Sequence, residues 1–223
     1  MTLLIQLDAR TLYFNNADYL LVLEQQHHFH EQIRYHNGSE VLLTGTHTAC
    51  ITLGKRGGEV DSSLNLPVHK IGRGGLATWH GPGQLVVYPI INIKHRRIGA
   101  RRWVRLLEHV TIDWLQCWGV SAMLRENCPG VWISSTKGFS KIASIGLELK
   151  AGISTHGISI NLDLPETAFN GIAACGFSNI QTTDLRTQRP HPLQSSTAKM
   201  AARQLSIRLW RALHHWPLSH QTL

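Results

Sequence analysis

The sequence predicts an α/β (α+β) fold in which one mixed sheet is flanked by helices. Three observations support this prediction. A strongly periodic helical segment lies in the middle of the 223-residue chain, two further helical segments lie near its ends, and short apolar runs typical of strands fill the intervals. Because a chain of this length buries roughly 70% of its unfolded surface, residues 1–223 are expected to form a single domain.

The central helix is predicted over Ala100–Trp118 from one apolar stripe and a stop signal. Side chains three or four positions apart share a helix face, and this spacing is met by Trp103, Leu107, Val110 and Trp114. Gly119 follows directly and favours a helix end. Polar cap residues open the two other predicted helices, which are Asn15 or Asn16 to about Arg34 and Ser195 or Ser196 to about His214.

Strands are predicted where short apolar runs end in glycine or polar residues. Leu85–Ile93 is nearly continuously apolar, which is typical of a strand buried on both faces. Thr182–Ser195 is polar, contains two prolines and is expected to be an exposed connection. The other predicted strands are Leu3–Leu7, Glu40–Thr44, Ala49–Leu53, Gly130–Ile133, Lys141–Leu149 and Ile158–Leu162.

The composition is basic and predicts no membrane span; a basic, solvated surface is the commoner explanation of the charge, and an acidic partner is the functional one. Lysine and arginine number 22 against 14 acidic residues, a formal charge of +8, and such a surplus favours nucleic acid, an anionic membrane surface or an acidic protein. The basic residues are not interleaved with aromatic residues as in a nucleic-acid platform. No apolar run approaches the roughly 20 residues needed to span a bilayer. The amino terminus lacks signal-peptide features, so we expect a cytoplasmic protein.

Cysteine and histidine spacings indicate neither disulfides nor a metal site. The sequence contains no CxxC pair and no HExxH motif. Three histidines of the first predicted helix are expected to form a solvated face: His27, His28 and His30. Three cysteines are expected to be ordinary buried or half-buried thiols, since free cysteine packs as a small hydrophobe: Cys50, Cys117 and Cys128. No metal is predicted.

One segment, Arg73–Leu85 (RGGLATWHGPGQL), suits a backbone that comes very close to a ligand. Its four glycines allow positive φ and leave N–H groups unobstructed, so these donors can hold a phosphate or stabilise an oxyanion. The segment matches neither a Walker loop nor GxGxxG, so a nucleotide site has no motif in its favour. Tight turns between strands explain the glycines but not Arg73, Thr78 and His80.

Cys175 and Lys141 are the candidate reactive pair. The thiol stands beside a glycine in the sequence Ala174-Cys175-Gly176, and Lys141 is an isolated charge in an apolar run. A cysteine attacks as the thiolate, and a nearby ammonium group favours that form by lowering the thiol pKa. A thiol and an amine around a glycine-rich pocket indicate acyl transfer through a thioester. Taken singly, each is better explained as a packed thiol or a strand-end lysine in water.

The sequence resembles the lipoyl(octanoyl) transferases, the octanoyl-carrier-protein:protein N-octanoyltransferase family. Arg73–Leu85 is similar to the family signature RGG-x-x-T-[YW]-H-G-P-G-Q-L. Further motifs keep the family's order over roughly residues 40–180: ITLGKR at 51–56, PGVW at 129–132, KIASIG at 141–146, THGISIN at 155–161 and CG at 175–176. Ala174 stands where the family usually has proline, and Trp79 stands where tyrosine is commoner.

The resemblance implies a fold like that of the biotin/lipoate protein ligases and a concrete chemistry. In the family, the cysteine accepts an octanoyl group as a thioester, and the lysine lowers the thiol pKa and assists transfer to an amine. These catalytic roles fall on Cys175 and Lys141, with no cofactor. The implied substrate-binding residues are Arg73, Gly74, Gly75, Leu76, Ala77, Thr78, Trp79, His80, Ser144, Ile145, Gly146, Gly157, Ile158 and Ser159.

The resemblance also implies the partners and a place in lipoate biosynthesis. The donor is octanoyl-acyl carrier protein, and the acceptors are lipoyl domains of 2-oxoacid dehydrogenases and the glycine cleavage H protein, with no nucleic acid and no membrane. Two alternatives stay open. An ATP-dependent lipoate or biotin ligase on a related fold would use an acyl-adenylate and need no cysteine. A basic nucleic-acid-binding module is supported only by the charge cluster within Lys94–Arg105.

Overall fold

The computed structural model describes residues 4–136, 138–172, 181–189, 194 and 197–215. In these ranges, helices separate runs of consecutive strands. The helices are α1 Tyr19–Tyr35, α2 Ala100–Cys117, α3 Leu185–Gln188 and α4 Thr197–His214. The strands are β1 Ile5–Asp8, β2 Thr11–Ala17, β3 Val41–His47, β4 Cys50–Leu53, β5 Val68–Lys70, β6 Ala77–His80, β7 Gln84–Ile90, β8 Val131–Ser135, β9 Gly138–Lys150, β10 Ile153–Asn161 and β11 Gln181–Thr182.

Within the described ranges, the strands form one large mixed sheet and one small sheet. The large sheet has the order β1-β2-β3-β7-β10-β9-β11, with β8 also paired to β9. Pairs β2–β3 and β9–β11 are parallel, while the other pairs are antiparallel. The small sheet has the order β5-β4-β6. The mixed sheet that the sequence predicts is therefore confirmed.

Strand β7 shows how the large sheet separates two cores. All seven of its residues are buried, as its nearly continuous apolar run predicts. Leu85 and Val87 join the core under α2 and α4, whereas Val86 and Tyr88 join the core under α1. Alternate residues of a strand point to opposite faces, so each face of the sheet needs its own helical layer.

Helix α2 confirms the most periodic segment of the sequence. It begins at Ala100, as predicted, and ends at Cys117, one residue before the predicted end. Its apolar stripe packs Trp103 and Trp114 into the core with no exposed surface. No helix in the described ranges is long and apolar enough to cross a membrane.

The predicted start of the first helix is wrong. Asn15 and Asn16 belong to β2, a strand that the sequence pattern does not predict. The cap of α1 is Asp18, whose carboxylate accepts hydrogen bonds from two N–H groups of the first turn. Asn16 instead has a φ of 46°, at an irregularity in the pairing of β2 with β3.

Three expectations about exposure are also wrong. The supposed connection Thr182–Ser195 contains the end of β11 and the short helix α3, in which Leu185 is fully buried. Cys117 is exposed rather than half-buried. His30 is buried, and its Nε2 forms a 3.0 Å hydrogen bond with the Lys150 carbonyl. The predicted caps Ser195 and Ser196 lie outside the described residues.

Candidate active site

A cavity of about 520 Å³ opens between β6, β9, β10 and the start of α2. Its size lies in the range of about 300–1,000 Å³ that is typical of small-molecule sites. Lys141 lines it, together with every predicted substrate-binding residue except Trp79: Arg73–Thr78, His80, Ser144–Gly146 and Gly157–Ser159. The structure therefore brings separate sequence motifs to one place, while their roles stay predictions. Cys175 lies outside the described residues.

Trp79 points away from the cavity. Its side chain is buried and packs against Phe169, with ring centroids 5.9 Å apart. Its neighbours in β6, Thr78 and His80, both line the cavity. The two-residue period of a strand accounts for this arrangement.

A pair of glycines gives the cavity part of its floor. Gly146 of β9 and Gly157 of β10 lie opposite each other in the strand pairing, and both line the cavity. A Cβ atom on Gly157 would overlap the Val87 carbonyl, and one on Gly146 would lie 2.9 Å from Cδ of Arg73. A side chain at position 146 would therefore collide with the Arg73 side chain, and glycine avoids that collision.

Arg73 is a buried cation that neutral acceptors hold in place. Its Nη2 donates to the carbonyl oxygen and the hydroxyl of Thr52, at 2.7 and 2.8 Å. Its Nε donates to the same hydroxyl at 3.2 Å, and its Nη1 donates to the Gly74 carbonyl at 3.0 Å. The planar fork of a guanidinium suits several such bonds at once, so its orientation is fixed before any ligand arrives.

Beside Arg73 lies a group of aromatic and imidazole rings, which we call the tyrosine–histidine cluster: Tyr19, His47, His80, Tyr88 and His156. Tyr19 Oη and His156 Nδ1 share a 3.3 Å hydrogen bond, and His47 Nε2 and Tyr88 Oη share one of 2.9 Å. The Tyr19 and His80 rings stack, with centroids 5.6 Å apart. All members are buried, and all except His47 line the cavity.

Burial keeps the tyrosine–histidine cluster uncharged at neutral pH. It lowers the pKa of His47 and of His156 to about 4 in each case. It also holds the pKa of His80 well below the usual range, and the nearby His47 adds to that effect. Burial raises the pKa of Tyr19 and Tyr88 above their usual values. Since removing a charge from water is costly, the neutral forms of these side chains are favoured.

Lys141 forms a different kind of polar site at another part of the wall. The residue is only 6% exposed. Its Nζ donates a 3.0 Å hydrogen bond to the Pro129 carbonyl and lies 4.7 Å from the centroid of the Trp132 ring. A carbonyl dipole and an aromatic face both stabilise an ammonium group. The lysine also pairs through its backbone with Trp132 of β8 and Thr182 of β11.

Several cavity residues are missing from the sequence prediction. Two of them, Pro129 and Trp132, belong to the PGVW motif, and a third, His156, belongs to THGISIN, so those motifs contained the signal. Tyr19 and Tyr88 lie in segments that the sequence presents as structural. The remaining additions are Arg56, Ala100, Val104, Asn127, Cys128, Leu147 and Leu149.

Comparison with known proteins assigns the family. The profile of the lipoyl protein ligase A/B catalytic domain matches residues 18–206. An octanoyltransferase from Shewanella amazonensis is 34% identical over 181 residues, which cover 78% of this chain and 81% of that protein. The chain therefore belongs to the lipoyl protein ligase A/B catalytic domain family. Because its curated relatives are octanoyltransferases, it is an acyltransferase within that family.

Solved structures confirm the predicted fold. A bipartite lipoate protein ligase from Thermoplasma acidophilum, studied with its E2 lipoyl domain, gives a TM-score of 0.64 at 13% identity, over 94% of this chain and 85% of that chain. A biotin protein ligase from Aquifex aeolicus gives a TM-score of 0.51 at 14% identity, over 93% and 73%. At these identities the likeness establishes the fold alone.

Proposed function

We propose that residues 1–223 form one catalytic domain that transfers an octanoyl (or lipoyl) group in lipoate biosynthesis, in the cytoplasm. The donor is acyl carrier protein, the acceptor is a specific lysine of a lipoyl domain, and Cys175 carries the acyl group as a thioester. One observation supports this proposal most strongly. Lys141, the predicted partner of the thiol, is a buried amine in the wall of a cavity that the predicted substrate-binding residues also line.

The other three cysteines are weaker candidates for the nucleophile. Burial raises the pKa of Cys50 to about 12, so its thiol stays protonated at neutral pH. Cys117 is exposed at the end of α2 and does not line the cavity. Cys128 does line it, so an experiment must separate Cys128 from Cys175. Cys175 has the matched family motif. It precedes Gln181 by six residues in the sequence, and the residue after Gln181, Thr182, pairs with Lys141 in the sheet.

The proposed reaction has two acyl transfers, in which Lys141 handles one proton. First, Lys141 takes the Cys175 proton, the thiolate attacks the donor thioester, and a new C–S bond forms as the donor's C–S bond breaks. The departing carrier thiolate takes the proton from Lys141. Next, the acceptor amine attacks the Cys175 thioester, its proton passes to Lys141, and a C–N bond forms as the C–S bond breaks. The products are the amide and a Cys175 thiolate beside an ammonium group.

The rim of the cavity offers a surface for an acidic donor. Arg56 lines the cavity and is exposed. Ala100 also lines it, and the next two residues of α2, Arg101 and Arg102, are exposed. Such a rim attracts an acidic carrier protein by long-range steering, which salt weakens. We therefore assign the carrier to this side of the molecule.

Intact-mass analysis after mixing with octanoyl carrier protein tests the proposal. We expect the chain to gain the mass of one octanoyl group, more slowly as salt is added, and to lose it in hydroxylamine. Cys175→Ser should abolish the adduct, and Cys117→Ser, which changes an exposed thiol away from the cavity, is the matched control that should keep it.

Three outcomes contradict the proposal. Loss of the adduct in Cys128→Ser, with retention in Cys175→Ser, would move the nucleophile to Cys128. Full octanoyl transfer by Cys175→Ala would exclude the thioester route. Transfer that requires free octanoate, ATP and Mg²⁺ instead of the carrier protein would make the chain a ligase.

A further inference from the structure

Glu108 is a buried carboxylate that α2 directs toward the start of β8. The residue is 1% exposed, and its Oε1 accepts a 2.8 Å hydrogen bond from the Gly130 N–H. Its Oε2 lies 3.0 Å from Nη1 of Arg105, one turn earlier on the same helix. Burying a carboxylate is costly unless it is paired and hydrogen-bonded, so α2 holds this group in one defined place.

The group that Glu108 contacts is the same peptide that holds Lys141. The Pro129 carbonyl and the Gly130 N–H are the two ends of one planar amide. The carbonyl end accepts from Lys141 Nζ at 3.0 Å, and the N–H end donates to Glu108 at 2.8 Å. A carboxylate at the N–H end fixes the direction of the carbonyl and polarises it as an acceptor.

We propose that Glu108 is a positioning residue for Lys141, acting through the Pro129–Gly130 peptide. The inference rests on the proposed function, because it assumes that Lys141 serves Cys175. Glu108 does not belong to the described cavity lining, so it acts on the lysine without touching the substrate. Its effect is to hold Nζ at one point of the wall while protons arrive and leave.

The backbone at Gly130 supports this role. Its φ of +119° is a value that side chains rarely tolerate. A Cβ atom there would crowd the Ala143 carbonyl and lie 3.3 Å from Cε of Lys141. The peptide therefore lies between Glu108 of α2 and Lys141 of β9, with a hydrogen bond to each.

The test measures how fast iodoacetamide alkylates Cys175 as a function of pH, by peptide mass spectrometry, with Cys117 of the same molecule as internal reference. Glu108→Ala should move the alkylation midpoint to higher pH and lower kcat by about 10- to 100-fold, the scale of a misplaced catalytic group, with little change in KM for octanoyl carrier protein. Glu108→Gln should change both far less, since its amide oxygen accepts the same N–H.

Thr111→Val is the matched control. Thr111 is buried one turn further along α2, where its hydroxyl donates to the Leu107 carbonyl, and its variant should behave as wild type. A Glu108→Ala profile that matches Thr111→Val overturns the inference. If Glu108→Ala does not fold, Glu108→Asp replaces it, because the shorter side chain draws the acceptor away from Gly130. An unchanged Asp variant also overturns it.

Lys141→Ala, measured in parallel, separates this inference from the proposed function. If Lys141→Ala leaves the Cys175 profile unchanged, the proposed lysine role fails and the inference fails with it. If Lys141→Ala shifts the profile while Glu108→Ala and Glu108→Asp do not, only the role of Glu108 fails.

Discussion

The cavity has two polar regions, and both are buried. Around Lys141, the side-chain amine lies beside a carbonyl and an aromatic ring, with a carboxylate behind the peptide that supplies the carbonyl. In the tyrosine–histidine cluster, every titratable ring is kept neutral by burial. Its neighbour Arg73 is held by the neutral acceptors of Thr52 and Gly74.

Under the proposed function, the two regions of the cavity have different tasks. In that function, Lys141 is the group that exchanges protons, and its amine lies beside the Pro129 carbonyl and the Trp132 ring. The tyrosine–histidine cluster resists protonation at neutral pH, so it provides fixed shape and oriented dipoles. Variants at Gly130, Arg73 and His47 test whether the regions differ in this way.

The largest expected effect comes from Gly130→Ala in the Lys141 region. The added Cβ would displace the Lys141 side chain or the strand beside it, so we expect transferase activity to fall by about 100-fold or more. We also expect the free energy of unfolding to fall by roughly 3 kcal/mol. Steady-state kinetics and urea denaturation measure the two effects.

Gly138→Ala is the control for Gly130→Ala. Gly138 has a similar φ of +111°, but no atom of the described residues lies within 4 Å of the position that a Cβ would take there. Its variant should share the backbone strain and keep the activity. Equal losses of activity in the two variants would show that backbone strain, rather than contact with Lys141, is responsible.

Arg73→Lys, beside the tyrosine–histidine cluster, should have an intermediate effect. A single ammonium group cannot replace a guanidinium that bonds Thr52 and Gly74 at the same time. We therefore expect the free energy of unfolding to fall by about 2 kcal/mol. We also expect KM to rise by a larger factor than kcat falls. Arg186→Lys is the control, since Arg186 forms an exposed 2.9 Å ion pair with Asp163 and should change stability by less than about 0.5 kcal/mol. Equal stabilities would argue against a special role for the Arg73 fork.

The smallest effect, taken per pH unit and per histidine, is the dependence of stability on pH. The pKa of His47 and of His156 is about 4 in the folded chain against 6.5 for a free histidine, so between these values the unfolded state binds more protons. Their contribution to stability is complete above about pH 6.5 and is lost as the pH falls toward 4. We expect a slope of roughly 1.4 kcal/mol per pH unit for each histidine.

Urea denaturation between pH 5 and pH 7 checks that slope. His47→Gln should lower the slope by about 1.4 kcal/mol per pH unit, because one proton fewer is taken up on unfolding. His28→Asn changes an exposed histidine of α1 and should leave it as in wild type. A His47→Gln slope equal to that of wild type would mean that His47 is protonated in the folded chain.

Much of the fold could be predicted because it depends on local apolar patterns. The start of α2 follows from the periodicity of its apolar stripe, and the burial of β7 follows from its apolar run, although β7 ends at Ile90 and not at the predicted Ile93. The start of α1 does not follow from such a pattern, since asparagine suits both a helix cap and a left-handed residue at an irregular strand pair. The structure uses Asn16 in the second way, with its N–H donated to the Thr46 hydroxyl at 2.8 Å. That hydroxyl lies 30 residues away, which no local pattern reveals.

The site was predictable as a set of motifs but not as a surface. The sequence predicts that a continuous stretch, Arg73–His80, binds substrate, yet a strand presents alternate side chains to opposite faces, and Trp79 therefore packs on Phe169. Tyr19 and His156 meet across 137 positions of sequence. The sequence likewise offers no reason to connect Glu108 with Lys141, since their link is one peptide group.

The opposed glycines at 146 and 157 have a consequence for engineering. Glycine has no side chain to shorten, so no substitution at either position can enlarge the cavity. Under the proposed function, a side chain at 146 would reduce the space for the acyl chain beside Arg73, whereas one at 157 would overlap the Val87 carbonyl of β7. In that function, room for bulkier acyl groups would have to come from shortening larger side chains elsewhere on the wall, such as Leu147 and Leu149.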